Sequence, residues 1–99
     1  MRMLMKARMN TELANQAIKN GTLEKTLLSA LEGLRPEAAY FVNEDGDRCA
    51  LVVFDMQDSS QLPTVCEPFF LELGAKIDLA PVMNVDDVQK GLADFMARR

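Results

Sequence analysis

Cys49-Ala50-Leu51-Val52-Val53-Phe54 is an unbroken apolar run of six residues. A run this short, with paired β-branched valines and an aromatic end, reads as a strand. Successive side chains of a strand point to opposite faces. Ala50, Val52 and Phe54 therefore share one face, and Leu51 and Val53 share the other. Both faces are apolar, so both need a cover.

Just upstream, Asn43-Glu44-Asp45-Gly46-Asp47 carries an Asp-Gly turn signal. Ala38-Ala39-Tyr40-Phe41-Val42 before it is a second short strand, and the two form a β-hairpin. Tyr40 and Phe41 point to opposite faces, one toward a core and one toward a cleft. Earlier still, Leu13, Ala14, Ala17 and Ile18 recur at helical spacing, and Leu23, Leu27, Leu28, Leu31 and Leu34 continue the stripe. This predicts a helix over 11–34, broken or kinked near Gly21, with Asn10 or Thr11 as N-cap and Thr22 able to cap again. Arg35-Pro36 ends it, because a residue before proline avoids helical geometry.

At the N-terminus, Met1, Met3, Met5, Ala7 and Met9 alternate with Arg2, Leu4, Lys6 and Arg8. That is a strand with one apolar and one mixed face. Downstream of the hairpin, a helix is expected over about 60–73. Pro63 sits in its first turn and Gly74 closes it, while Pro68 should kink it or shift its start. Residues 75–82 form a fourth strand, whose Pro81 belongs at a sheet edge. Asn84 caps a last helix with Asp87 at its third position. Val85, Val88, Leu92, Phe95 and Met96 form that helix's stripe.

The order is βαββαβ with an extra C-terminal helix. It predicts an α+β, ferredoxin-like sandwich made of one domain over residues 1–99, with strand order 4-1-3-2. Two crossover helices cover one sheet face. The opposite face needs the last helix, a ligand or a second subunit.

The 99 residues contain no His, no Trp and one Tyr. Without His, Ser-His and Cys-His nucleophile pairs, His-ligated metal and imidazole acid–base chemistry are out of reach. Cys49 and Cys66 form no CxxC motif, so no metal site and no redox motif is expected. Both cysteines are expected to be buried and inert. The net charge of −4 opposes phosphate backbones, so neither nucleic acid nor an anionic membrane is an expected partner. Arg2, Lys6 and Arg8 interrupt any signal-peptide core, and no stretch is long enough to span a membrane. The expected location is cytoplasmic.

Four segments carry a family resemblance: Ala17 to Leu23, "RPEAAYFVNEDGDR" (Arg35 to Arg48), "CEPFFLELGAKI" (Cys66 to Ile77) and "PVMNVDDVQKGL" (Pro81 to Leu92). They resemble a group of small bacterial proteins of the dimeric α/β-barrel superfamily, in which two open sheets pack face to face. The resemblance implies a homodimer. The wider superfamily includes cofactor-free monooxygenases, haem-degrading enzymes, lactone isomerases and proteins with no known activity. Its enzymes often use His, Trp or Asn in the cleft. This chain has no His or Trp, so no catalytic residue carries over.

The candidate ligand-binding residues are Lys6, Arg8, Tyr40 and Asp78. Lys6 and Arg8 lie on the mixed face of strand one. The expected neighbour, strand four, brings Asp78 near them, and Tyr40 can offer its hydroxyl. Such a cluster could orient a small organic anion; a cross-strand ion pair or a solvated strand end is the competing explanation. Glu44, Asp45 and Asp47 lack the spacing of a calcium loop and read as a charged hairpin tip. The expected function is a homodimeric small-ligand-binding or structural module that needs no cofactor. The alternative is a cofactor-free monooxygenase or isomerase acting in the barrel cleft.

Overall fold

The structure, a computed structural model, describes all 99 residues. Its elements are β1 (Arg2–Arg8), α1 (Thr11–Lys19), α2 (Leu23–Leu34), β2 (Ala38–Glu44), β3 (Asp47–Asp55), a 3-10 turn (Ser59–Gln61), α3 (Leu62–Leu73), β4 (Lys76–Pro81) and α4 (Val85–Ala97). The four strands form one antiparallel sheet in the order β2-β3-β1-β4. This α+β arrangement has the predicted strand order and is compatible with a ferredoxin-like sandwich. No helix is long and apolar enough to cross a membrane.

The methionine parity sets the sheet's orientation. Met3, Met5, Ala7 and Met9 are all buried, and Met3, Met5 and Ala7 meet Phe54, Val52 and Ala50 of β3 in register. Val65, Cys66, Phe69 and Leu73 of α3 and Ala14 of α1 close this layer. Flexible methionine side chains fill the space between β-branched and aromatic neighbours. Only Met1 departs from the pattern: it precedes β1 and is largely exposed.

The predicted helix over 11–34 is two helices. Gly21 takes φ +72°, and the chain turns between Lys19 and Leu23. An l-amino acid with a side chain is strained in that region, so glycine makes the turn cheap. Asn10 caps α1 by accepting from the Leu13 backbone N–H at 3.0 Å. Thr22 does not cap α2; its hydroxyl instead donates to the Ala17 carbonyl at 3.3 Å. In α3, Pro63 lies in the first turn, and the helix runs on unbroken through Pro68 to Gly74. The 3-10 turn leads into α3, and its N-cap Asp58 forms a capping box with Gln61.

Gly74 ends α3 at φ +53°. A Cβ there would stand 2.8 Å from Leu13 Cδ1 and 3.3 Å from Asn10 Cβ. The glycine therefore serves the left-handed helix stop and lets α3 approach the start of α1. The Asn10 N–H also donates to the Leu73 carbonyl at 2.9 Å, tying the two helix ends together.

The last helix starts as the sequence predicts. Asn84 and Asp87 form a capping box, with the Asp87 N–H donating to Asn84 Oδ1 at 2.8 Å. Its packing is a different matter. Every residue of α4 is exposed, including its apolar stripe. It therefore does not supply the missing cover of the sheet.

Candidate functional site

The face of the sheet opposite α1–α3 lies open, and the strand registers order it into rows. One row runs Ala38, Val53, Leu4, Ala80 across all four strands and is wholly apolar. The next runs Tyr40, Leu51, Lys6, Asp78, and the one beyond runs Val42, Cys49, Arg8, Lys76. Residues opposite one another in a ladder share a face, so each row is a set of side-by-side side chains. Tyr40, Lys6 and Asp78 thus stand in one row, with Arg8 in the adjacent row on the same face. The sequence-predicted four are brought to a common surface by register alone.

Their partners differ from the expected ones. Lys6 Nζ donates to Glu44 Oε1 at 2.5 Å, reaching across β3 to the end of β2. Arg8 Nη2 donates to Asp47 Oδ2 at 3.0 Å, and Arg8 Nη1 lies 3.8 Å from Asp45. Thr11 donates its hydroxyl to the other Asp47 oxygen at 3.0 Å. Asp78 is level with Lys6 in the ladder but makes no ion pair. The acidic hairpin tip is therefore the counter-charge of Lys6 and Arg8, a role beyond the solvation that its composition suggests.

This pairing favours the charged forms. The hydrogen bond to Glu44 holds the Lys6 ammonium above its usual range, and the same bond holds the Glu44 carboxyl below its own. Arg8 likewise lowers the Asp47 carboxyl, with the Thr11 hydroxyl adding to the effect. Beneath these groups the buried Cys49 thiol donates to Glu44 Oε2 at 3.5 Å, and burial pushes its pKa up, so it stays a thiol. Cys66 is raised by burial too. Neither cysteine has the exposed, electropositive setting of a reactive thiolate.

Tyr40 stands on the open face and is 67% exposed, so its hydroxyl is free for a ligand or a partner. Phe41 turns to the helix side, as alternation requires, yet it does not join the buried core. It is 52% exposed because β2 is an edge strand that α2 only partly covers. The gap is a groove of about 480 Å³, lined chiefly by Ile18, Leu23, Leu27, Leu28, Leu31 and Phe41. The leucines of α2 carry the signal for it: Leu28 widens the stripe of Leu23, Leu27 and Leu31, and it is left 59% exposed. One further feature stands at the charged end: Arg8 Nε is buried without a hydrogen-bond partner. No group of three or more Cys, Asp or Glu side chains is placed to hold a metal ion.

No protein-family model matches this chain, and no curated protein is similar to it.

Proposed function

We propose that this chain is a homodimeric module whose open sheet faces pack together and enclose a small organic ligand at their charged rows. The observation that carries the proposal is the uncovered apolar row Ala38–Val53–Leu4–Ala80 beside the row bearing Tyr40, Lys6 and Asp78. A sheet face with a continuous apolar row is a surface that water leaves favourably. The Lys6–Glu44 and Arg8–Asp47 pairs and the Tyr40 hydroxyl give such an interface a polar end where a small organic ligand with hydrogen-bonding groups can be oriented.

The binding reading is favoured over catalysis by the state of Lys6. An ammonium stabilised by Glu44 is a poor general base, since a base must release its proton near the working pH. A monooxygenase or isomerase would have to draw its base from another residue of the same face. The proposal is tested by native mass spectrometry of freshly purified protein, which reads subunit number and retained ligand together. A ligand-bearing dimer supports it. A Lys6→Ala/Arg8→Ala double variant is expected to stay folded and dimeric while losing that ligand. A ligand that stays bound to the double variant with unchanged occupancy rejects the assignment of the site.

A further inference from the structure

The structure contains a helix with no place in its own chain. Val85, Val88, Leu92, Phe95 and Met96 form one stripe along α4, and all five are exposed. Phe95 and Leu92 are each 58% exposed. An isolated helix of this length is marginal in water, and amphipathic helices draw their stability from packing the apolar face. The chain's dimensions reflect the protrusion. Its radius of gyration is 16.1 Å, with extents of 57 × 27 × 18 Å, whereas a compact chain of this length has about 12.6 Å.

The root of α4 is nevertheless fixed. The Val82 N–H donates to the Arg2 carbonyl at 3.1 Å, and the Arg2 guanidinium lies 3.8 Å from Asp87 in the first turn. Arg2 has the parity of Leu4 and Lys6, so the arm is anchored at the rim of the open face. It leaves the body at the border of the surface that a second copy would cover.

Four strands at about 4.8 Å spacing and some seven residues of strand present a face of roughly 20 by 23 Å. Two such faces have a combined footprint on the order of 900 Å², which makes the sheet pairing a small interface. A helix of this length is about 20 Å long and 10 Å wide, so docking two of them adds on the order of 800 Å². The sheet alone makes a small interface, and two docked arms nearly double it.

We infer that α4 is an exchanged arm: its Val85–Met96 stripe docks on a second copy of this chain, clamping the sheet-to-sheet dimer. The inference rests on the proposed dimer and adds the element that holds it together. A photo-crosslinker in place of Phe95 tests it, with the protein's mass in solution measured alongside by sedimentation. The expected product on a denaturing gel is a covalent dimer. Products confined to the mass of one chain, in a protein that sediments as a dimer, overturn the arm and leave the sheet pairing standing. A wild-type monomer overturns both. A Leu92→Glu/Phe95→Glu variant supplies the second measurement. These side chains touch no core, so the variant is expected to fold, with its dimer dissociation constant raised at least tenfold. An unchanged dissociation constant overturns the arm.

Discussion

Val53→Asp is the perturbation that weighs most on the open face. Val53 lies opposite Leu4 on β1 and Ala38 on β2, in the middle of the wholly apolar row, and is only half-buried in the single chain. A carboxylate there can stay hydrated in a monomer, so folding should lose no more than about 1 kcal/mol, the span of strand propensity. In the proposed dimer the residue is covered from above, and symmetry doubles every term. Completing the burial of a valine that is at most about a third exposed gives up roughly 0.5 kcal/mol per copy, about a third of its full transfer value. Desolvating the carboxylate costs at least about 2 kcal/mol more, with a ceiling near 4 kcal/mol, where protonation at neutral pH becomes the cheaper route. The total is about 5 kcal/mol per dimer or more, which is roughly four orders of magnitude in the dissociation constant. Sedimentation velocity over a concentration series reads this directly, and circular dichroism checks the fold. A folded Val53→Asp protein with an unchanged dissociation constant would refute the idea that this face is buried against another copy.

Three further outcomes follow from the same structure. Phe69→Ala empties a fully buried position of α3 against the sheet and should cost about 3–5 kcal/mol in denaturant unfolding; a loss under 1 kcal/mol would mean that the helix-side layer is not the core. Gly74→Ala forces a side chain into a left-handed helix stop and against Leu13, so a loss of about 1–2 kcal/mol is expected; a neutral result would show that the α3–α1 approach relaxes freely. Glu44 and Asp47 have carboxyl groups held below their ordinary values of 4.5 and 3.8. Lowered folded-state values contribute stability that is fully present above those ordinary values and is lost as pH falls through the lower folded ones. Melting temperature should therefore drop on acidification below about pH 4.5, and Glu44→Gln should flatten that drop; a Glu44→Gln profile identical to wild type would exclude the Lys6 pair as a contributor.

Much of this architecture is legible in the residues. Alternation of methionine with charge orients β1, the two-sided β3 announces a face in need of cover, and the Asp45-Gly46 turn fixes the hairpin. Strand parity and order follow from these, which is why Lys6, Arg8 and Asp78 read as neighbours; parity separates Tyr40 from Phe41 without saying which of them meets the open face. The ion pairs are not legible in the same way. Asp78 sits level with Lys6, but a lysine stem is long enough to pass over β3 to Glu44, while Asp45 and Asp47 of the same hairpin tip meet Arg8. Choice among nearby carboxylates depends on side-chain path and exposure, which strand parity does not encode. The last helix shows the same limit from another side. Its stripe and capping box are plain in the sequence, yet a stripe says only that something apolar is needed opposite. That the body of this chain leaves α4 bare is a matter of tertiary placement. The groove beside Phe41 is a third case: leucine periodicity marks α2 as amphipathic but cannot tell how far it stands from an edge strand.

The most direct test of the account is the solution mass of the unmodified protein, measured by sedimentation equilibrium at low micromolar concentration. The account predicts a species of twice the 11.0 kDa chain mass, because neither the open sheet face nor α4 has a cover within one chain. A single species at the mass of one chain would contradict it.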